Sequence, residues 1–453
     1  MVETDSMQRA VVIGGSVAGL MAAKAVAPFF DEVILLEKDR LNDDNGLHKG
    51  VGHGGHAHVL LPSGLDLLKQ LLDAPTLDLN AYGIVPADTA SELKWFQFGV
   101  WKTRFHSGID MGWCHRSVFE RQLRQDVLSV DTIRMLSPAK VTGLLMLEQA
   151  HHVAGVCYRS PGDEESDITH TLTAELVIDA SGRGTHTPRW LQDAAIGRVK
   201  EDEVSVRIAY TTRRFNLPAH VAAALDWKVL SIYAEPPYDR RGGLIYPIGG
   251  NEWMATLIGG NGEVAPMAMD GYLDFAQSLP QPDIYKVLKQ AIPVGEPCSY
   301  QCPGSLWRRY DRMKQWPGHF VVIGDAVCSF NPIYGQGITA VLKDVQVLTA
   351  VLAQHINDLS AVSMLKLQKV IAKGKAVPWH LAACPDFIYP ETRGKRPPCL
   401  GMTNGYIKAL MKLAGRDRVA HQRFIEVFTY LKSPLVLLTP GILVKVLGQK
   451  LWG

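Results

Sequence analysis

Alternation between apolar and polar stretches divides the start of the chain into short elements. Residues 10–13 form an apolar run typical of a buried strand, and the apolar segment 20–30 has the composition of a helix. A second apolar run, residues 33–36, follows closely. The pattern predicts a strand–turn–helix–strand unit at the beginning of the fold.

A second pattern, in which hydrophobic residues recur at every other position, occupies the middle of the chain. It predicts strands at 207–215, 227–236, 242–250 and 252–260, the last two joined by a glycine-containing turn. We expect an antiparallel sheet that forms one wall of a substrate pocket. Candidates to line that pocket, with ordinary core positions as the alternative, are Tyr210, Tyr233, Tyr246 and Trp253.

Helical stretches broken by prolines fill the last third of the chain, which we expect to form a helical cap. The final segment, residues 434–453, is apolar but is interrupted by Pro440, Lys445 and Lys450, so it is not expected to span a bilayer. Packing on the core is the favoured interpretation, with membrane contact or substrate entry as alternatives.

Composition narrows the class of protein. The chain has 453 residues, 47% of them hydrophobic and 20% charged, which is typical of a fully folded protein of more than one domain. The net charge is +2, without a long block of one sign, so no nucleic acid or anionic membrane partner is indicated. Small molecules are the expected partners.

Seven scattered cysteines without a CxxC pair argue against a disulfide framework or a zinc site. The first ten residues, MVETDSMQRA, contain acidic residues where a signal peptide has basic ones. We therefore expect a cytoplasmic protein that begins directly with its fold.

A glycine-rich turn follows the first predicted strand: Gly14, Gly15, Ser16, Val17, Ala18 and Gly19. In a dinucleotide fingerprint the first glycine makes the tight turn, a small residue at position 16 lets the backbone approach a pyrophosphate, and the last glycine allows close helix–strand packing. The second strand ends in Glu37 and Lys38, where Glu37 is placed to hold an adenosine ribose. An ordinary tight turn is the alternative.

A late motif favours FAD over NAD. The apolar run 320–323 is followed by GDAVCSFNPIYGQGIT, which begins with Gly324 and Asp325. A carboxylate at the strand end can accept hydrogen bonds from ribityl hydroxyls, which NAD lacks. After Pro332, the amides of Gly335, Gln336 and Gly337 would lie at the first turn of a helix, where its dipole can stabilise negative charge on a reduced flavin.

With a third motif, VIDASGRGT at residues 177–185, the sequence resembles the single-component flavin monooxygenases typified by para-hydroxybenzoate hydroxylase. Three segments resemble the sequences of flavin epoxidases and hydroxylases of polyketide and terpenoid (polyether-type) biosynthesis: KGVGHGGHAHVLLPSG, DASGRGTHTPRWL and GDAVCSFNPIYGQG. Gly55 stands where that branch has arginine, and Cys328 where the wider family has histidine.

The resemblance implies several further cofactor contacts. It places Asp179 and Gly182 near the flavin diphosphate, Arg116 against the cofactor, and His56 and His58 on a loop beside the flavin ring. A solvated helix-start residue is the alternative for Arg116. A metal site among His48, His53, His56 and His58 is the disfavoured alternative for the histidines, because no cysteine or carboxylate stands at ligand spacing, so no metal is expected.

The implied fold class is α/β, with a Rossmann-like FAD-binding domain of the glutathione-reductase type, an inserted antiparallel β-sheet substrate domain and a C-terminal helical cap. The expected boundaries are 1–200 together with 300–355 for the FAD-binding domain, 200–300 for the substrate domain and 356–453 for the helical region.

The implied function is an FAD-dependent monooxygenase that inserts one oxygen atom of O2 into a small lipophilic natural-product intermediate through a flavin C4a-hydroperoxide. Alkene epoxidation is favoured by the branch resemblance; the alternatives are aromatic hydroxylation, prenyl-type alkene reduction, and a non-catalytic carrier. Halogenation is disfavoured because the WxWxIP segment of flavin halogenases is absent. Electrons would come from NADPH or a separate flavin reductase, and no catalytic residue can be named from the sequence.

Overall fold

The computed structural model describes residues 8–41, 52–147, 152–162, 168–235 and 238–449. Their strands are β1 (Arg9–Ile13), β2 (Glu32–Leu36), β3 (Ala57–Leu60), β4 (Ile84–Asp88), β5 (Leu93–Gln97), β6 (Val100–Trp101), β7 (Asp110–His115), β8 (Ile133–Leu136), β9 (Lys140–Leu147), β10 (His152–Arg159), β11 (His170–Thr173), β12 (Leu176–Asp179), β13 (Glu201–Ser205), β14 (Ile208–Asn216), β15 (Val229–Ile232), β16 (Arg241–Gly249), β17 (Glu252–Gly260), β18 (Ile292–Cys302), β19 (Ser305–Arg308), β20 (Phe320–Val322), β21 (Cys328–Ser329) and β22 (Arg393–Gly394).

The helices of the same residues are α1 (Val17–Val26), α2 (Pro62–Leu71), α3 (Arg116–Leu128), α4 (Thr187–Asp193), α5 (Ala219–Ala223), α6 (Met269–Gln277), α7 (Asp283–Leu288), α8 (Gly337–His355), α9 (Ala361–Gly374), α10 (Ala376–Ala382), α11 (Leu400–Leu413), α12 (Arg418–Phe428) and α13 (Pro440–Gly448). The first two strands and the first helix confirm the unit predicted at the start of the chain.

A five-stranded parallel sheet, in the order β20-β12-β1-β2-β8, forms the centre of the nucleotide-binding half. Its strands are almost continuously hydrophobic because both faces are covered: α1 packs with α3 and α8, and β10 contacts β12. The carboxyl ends of β1, β12 and β20 meet at one edge of this sheet. The three glycine-containing motifs follow these strands, so the topology brings them together.

The predicted strands between residues 207 and 260 are present as β14 to β17 and belong to a seven-stranded sheet, in the order β18-β14-β17-β16-β15-β5-β6. The pairing is antiparallel from β18 to β15, as predicted, and Gly249 and Gly250 form the expected turn between β16 and β17. The sheet is mixed, however, because β15 pairs in parallel with β5. The strands β5 and β6 come from outside the segment 200–300, and the division into domains stays a prediction.

Helix α8 is long and apolar enough to cross a membrane by length and composition, which the sequence analysis did not anticipate. Half of its most apolar window is buried inside the fold, where it packs on α1, α2 and α9. This burial is typical of a core helix.

Candidate functional site

A cavity of about 380 Å³ lies at the carboxyl ends of β1, β12 and β20. This volume is in the range of small-molecule and cofactor sites. Most of the site residues predicted from the sequence line it: Gly14, Ser16, Val17, Ala18, Glu37, Lys38, His56, His58, Arg116, Gly182, Asp325, Pro332, Gly335 and Gly337. The other predicted residues, Gly15, Gly19, Asp179 and Gln336, are not part of the cavity wall.

The first glycine turn has the close contacts that its sequence predicts. Gly14 has a φ of +105°, and a Cβ atom there would lie 2.7 Å from the carbonyl oxygen of Ala180. A Cβ atom on Gly19 would lie 1.7 Å from the carbonyl oxygen of Gly14. Both positions therefore require glycine, and α1 can start directly against the turn.

Ser16, which replaces the middle glycine of the fingerprint, has hydrogen-bonding partners that glycine would lack. Its Oγ donates to Glu120 Oε2 at 3.0 Å and accepts from Arg116 Nη2 at 2.9 Å. Arg116 Nε also donates to Glu120 Oε2 at 2.8 Å. Arg116 is 7% exposed, so it is not a solvated helix-start residue. Its guanidinium is held beside the N-terminus of α1, where both favour an anion.

Glu37 is buried at the end of β2, and its carboxylate is oriented by two backbone amides. Oε2 accepts from Gly15 N at 2.7 Å and Oε1 accepts from Asp39 N at 2.8 Å. A Cβ atom on Gly15 would lie 2.9 Å from the Glu37 Cβ, so glycine at 15 allows this approach. Lys38 follows and is exposed. The fixed carboxylate can accept hydrogen bonds from a diol in the cavity.

Asp179 lies behind the cavity rather than in its wall. It is fully buried and accepts hydrogen bonds from Ser181 N at 2.9 Å, from Thr187 Oγ1 at 2.6 Å and from Thr185 Oγ1. These bonds order the loop that presents Gly182 and Arg183 to the cavity. Asp179 therefore acts on the site through the loop that it positions.

Arg183 was not singled out from the sequence, although it stands inside the DASGRGT motif. Its Nη1 donates to Gly304 O and to Ser329 Oγ, both at 2.7 Å. These contacts tie the mid-chain loop to Gly304, which directly precedes β19, and to β21.

A buried ion pair holds the first residue of the late motif, Gly324, in place. Lys375 Nζ lies 2.6 Å from Asp344 Oδ2, and Gly324 N donates to the same oxygen at 2.8 Å. Gly324 has a φ of +63°, a conformation that favours glycine, and the turn presents Asp325 to the cavity. Burial raises the pKa of Asp325, and the positive charges of Lys375 and nearby arginines oppose that increase.

The N-terminus of α8 forms the next part of the wall. Gly335 has a φ of +63°, and a Cβ atom there would lie 2.4 Å from Val59 Cγ1. Gly335 and Gly337 border the cavity, whereas Gln336 is turned inward and donates from Nε2 to Tyr334 O at 3.2 Å. Gln336 Oε1 is buried and has no hydrogen-bond partner within the described ranges. The backbone of this turn, and not the Gln336 side chain, therefore faces the cavity.

The histidine loop also lines the cavity. His56 Nδ1 lies 2.8 Å from Thr212 Oγ1, and His58 Nδ1 lies 2.9 Å from His56 O. Burial lowers the pKa of His53 and of His56 to about 4, so both rings are neutral at pH 7. No metal-binding group of three ligands is found in the part of the chain that the structure describes, and His48 lies outside it.

The structure gives a steric reason for Gly55. A Cβ atom at this position would lie 2.8 Å from Cys298 Sγ, whose thiol donates to Gly55 O at 3.2 Å. The arginine of the similar branch could not be placed here without displacing Cys298.

The part of the cavity lined by the glycine-containing motifs, Glu37 and Arg116 is its polar end. The rest of the wall is mainly apolar, and we refer to this part as the chamber. Its wall includes Trp95 and Trp113 from β5 and β7, Leu244 from β16, and Phe428 from α12. Of the four aromatic residues predicted to line a pocket, Tyr210 and Tyr233 do so. The other two, Tyr246 and Trp253, are buried in the core. The sequence did not reveal Trp95, Trp113 or Phe428, because no local pattern shows that β5 and α12 join this wall.

A buried polar network connects the chamber wall with the C-terminal region. Tyr210 OH donates to Asn331 Oδ1 at 2.9 Å, and Asn331 Nδ2 donates to Asp386 Oδ1 at 2.9 Å. Tyr334 OH donates to the same oxygen at 3.3 Å. Burial raises the pKa of Asp386 to about 8. Asp386 therefore carries a proton over most of the physiological pH range.

Known proteins share sequence or fold with this chain. No family model matches the chain. Protein Rv3254 of Mycobacterium tuberculosis is 28% identical over 459 residues, covering 98% of this chain and 94% of that protein. Squalene epoxidase 1 of Arabidopsis thaliana is 23% identical over 366 residues, and the match covers 79% of this chain and 61% of that protein.

Two groups of solved structures show the fold. The flavin-dependent brominase Bmp2 superposes with a TM-score of 0.64 at 12% identity, covering 93% of this chain and 92% of that one. PqsL of Pseudomonas aeruginosa, a probable FAD-dependent monooxygenase, superposes with a TM-score of 0.58 at 16% identity, covering 93% of this chain and 99% of that one. The chain therefore has the fold of flavin-dependent monooxygenases and halogenases, which confirms the resemblance stated from its motifs. Among its curated relatives, the likeness to Rv3254 extends over nearly the whole length.

Proposed function

We propose that this chain is an FAD-dependent monooxygenase that transfers one oxygen atom of O2 to a small lipophilic substrate. One observation carries the proposal: a single cavity joins the three glycine-containing motifs to a chamber walled by Trp95, Trp113 and Phe428. A flavin ring at the α8 N-terminus would face that chamber. The apolar side chains of that chamber would help to keep water from the reacting atoms.

The residues of the polar end fit FAD. Arg116 and the N-terminus of α1 would hold the diphosphate, and the carboxylate of Glu37 would accept from the adenosine ribose. Asp325 would accept from the ribityl chain, and the backbone at Gly335 and Gly337 would face the pyrimidine edge. A Cβ atom on Gly182 or Gly337 would meet no protein atom within 4 Å, so the backbone at these two positions borders open space that a ligand can fill. When bound, FAD would supply the electrons and the activation of O2.

The work of the chain itself would be to orient the substrate, to exclude water and to hold protons. His56 borders the cavity, is neutral at pH 7, and has a buried Nε2 without a partner among the residues described. It can hold one hydrogen bond there without introducing a charge. The aromatic wall would position the substrate by shape.

Alkene epoxidation is the reaction that we propose, ahead of aromatic hydroxylation. The apolar chamber suits a polyene, and a squalene epoxidase is among the distant relatives. The structural relatives also include a brominase. Lys38 is the one lysine of the described cavity wall, and it follows Glu37 at the ribose end. The resemblance implies a working lysine in the chamber of halogenases, and the described wall of this chamber contains none. We therefore prefer oxygenation to halogenation.

We further propose that the protein is cytoplasmic and takes electrons from NADPH or a flavin reductase.

Isotopically labelled O2 tests the reaction. The protein is loaded with FAD, reduced, and given squalene or a farnesyl compound as a polyene probe, with bromide in a parallel sample. We expect one labelled oxygen atom in the polyene product. Labelled hydrogen peroxide alone, an alkene-reduced product formed without O2, or a brominated product would each contradict the assignment.

A further inference from the structure

Apolar side chains are exposed at the C-terminal end of the described chain. Leu435 and Leu438 belong to the turn Pro434–Leu438, and Val444 and Leu447 belong to α13, which packs against that turn. More than half of each of these four side chains is exposed. We refer to these four residues as the C-terminal strip.

Helix α13 is apolar on two opposite sides. Ile442 and Val446, four residues apart, are buried with Leu410 of α11. Val444 and Leu447 lie on the outward side. Single exposed aliphatic residues are normal, but four in thirteen consecutive residues form a patch of the kind that marks an interaction surface.

The same part of the chain carries most of the excess positive charge. Residues 391–453 contain 11 basic and 3 acidic residues, whereas the first 390 contain 36 and 42. The whole-chain charge of +2 is therefore the sum of a negatively charged first part and a positively charged C-terminal part. Exposed basic residues occur on α13, on α11, which packs against it, and in the adjoining loops: Lys445, Lys412, Arg416 and Lys432. Lys445 and Lys432 also pair with Asp417 and Glu426, but basic residues remain in excess in this part of the chain.

Aliphatic side chains beside basic ones match the chemistry of an anionic lipid surface. The aliphatic groups can enter the interface while lysine and arginine contact the negative headgroups. A nucleic acid would match the charge but would leave the strip exposed to water. A second copy of the chain would cover the strip but would place two positive surfaces against each other.

The strip also lies near the proposed substrate chamber. Helix α12 packs against the turn Pro434–Leu438, and Phe428 at the end of α12 is part of the chamber wall. A surface seated on lipid would therefore place the chamber next to a source of lipophilic molecules.

We propose that the C-terminal strip and the basic residues around it dock the protein on an anionic membrane surface, without spanning it. The docking does not depend on FAD. Only its role in supplying a lipophilic substrate rests on the proposed function.

Vesicle sedimentation tests the docking on the full chain. The protein is spun with vesicles of phosphatidylcholine alone or with an equal part of phosphatidylglycerol, at low and high salt. Burial of the aliphatic groups and neutralisation of the headgroups both contribute to the binding free energy. We therefore expect the protein to sediment with the anionic vesicles and high salt to weaken the binding. Absence of sedimentation with anionic vesicles at low salt overturns the proposal.

Two matched pairs of variants locate the surface. Val444→Gln with Leu447→Gln is expected to reduce binding by about tenfold or more, whereas Val362→Gln with Ile292→Gln, equally exposed elsewhere, leaves it unchanged. Lys412→Gln with Arg416→Gln reduces binding to anionic vesicles and its salt dependence, unlike Lys286→Gln with Lys314→Gln.

Circular dichroism verifies that each variant is folded. Equal binding by the wild type and the Val444→Gln, Leu447→Gln variant overturns the proposal. So does a concentration-dependent dimer that this variant abolishes, because the strip would then bind a second copy.

Discussion

Arg116, Ser16 and Glu120 form one buried charged group beside the first glycine turn. The serine hydroxyl both accepts from the guanidinium and donates to the carboxylate. The carboxylate partly neutralises Arg116, so a cation can stay buried at the α1 N-terminus in the absence of an anion. The arrangement explains why a fingerprint glycine is replaced by serine in this chain.

Replacing Arg116 is expected to weaken FAD binding. Since a charge-assisted hydrogen bond contributes about 1.5–3 kcal/mol, Arg116→Gln should raise the Kd for FAD roughly tenfold to a hundredfold. Titration with FAD, followed by quenching of flavin fluorescence, measures the change.

Arg121→Gln on the same helix is the matched control and should leave the Kd unchanged. Circular dichroism of Arg116→Gln separates a folding defect from lost binding. An unaltered Kd in folded Arg116→Gln would show that this arginine does not hold the diphosphate.

Asp386 makes stability depend on pH. Its pKa is about 8 in the fold, above the value of an unfolded aspartate, so its contribution is fully present below pH 4 and is lost as the pH rises towards 8. In Asp386→Asn the amide oxygen can still accept the hydrogen bond from Asn331 Nδ2, and the side chain cannot ionise.

Each pH unit between the unfolded and the folded pKa costs the wild type about 1.4 kcal/mol, so the stability gain of the variant over the wild type is expected to be about 3–4 kcal/mol larger at pH 8 than at pH 5. Urea unfolding at both values gives the comparison. A constant difference between the two proteins across this pH range would contradict a raised pKa at Asp386.

At the scale of elements, the parallel strands β1, β2 and β20 and the helices α1 and α8 could be predicted because their signals are local, whereas β8 was not predicted. Apolar runs gave β1, β2 and β20, and the period-two pattern gave β14 to β17. The pairing of β5 with β15 joins residues more than 130 positions apart and depends on tertiary packing, so no local pattern reveals it. The same reason hides Trp95 and Phe428 from sequence reasoning.

Helix α8 is fixed to the late motif by the buried pair of Lys375 and Asp344. Lys375→Met would leave the Asp344 carboxylate buried without its cation and is expected to lower the free energy of unfolding by about 3–5 kcal/mol. Lys373→Met, an exposed position on α9, should change it little.

Adding Asp344→Asn to Lys375→Met removes the second charge and retains an acceptor for Gly324 N. This double variant should recover a large part of the loss in denaturant unfolding. Equal stability of Lys375→Met and the wild type would mean that the pair does not support the late motif.

At the scale of the whole molecule, the site is assembled from three distant parts of the chain. The parallel sheet supplies the polar end, the seven-stranded sheet supplies one wall of the chamber, and α12 supplies Phe428. The residues of the polar end could be predicted from the motifs because the backbone requires glycine at positions 14, 19 and 335, and this requirement is visible in the sequence. The chamber was less predictable because any apolar side chain of suitable size can form its wall.

The most direct test of the account is equilibrium dialysis of the purified chain against FAD, with the absorbance spectrum recorded afterwards. The account predicts one FAD per chain and a flavin spectrum that shifts when a polyene probe such as squalene is added, because the ring faces the chamber. A chain that retains no FAD, or a bound flavin whose spectrum is insensitive to every apolar probe, would contradict it.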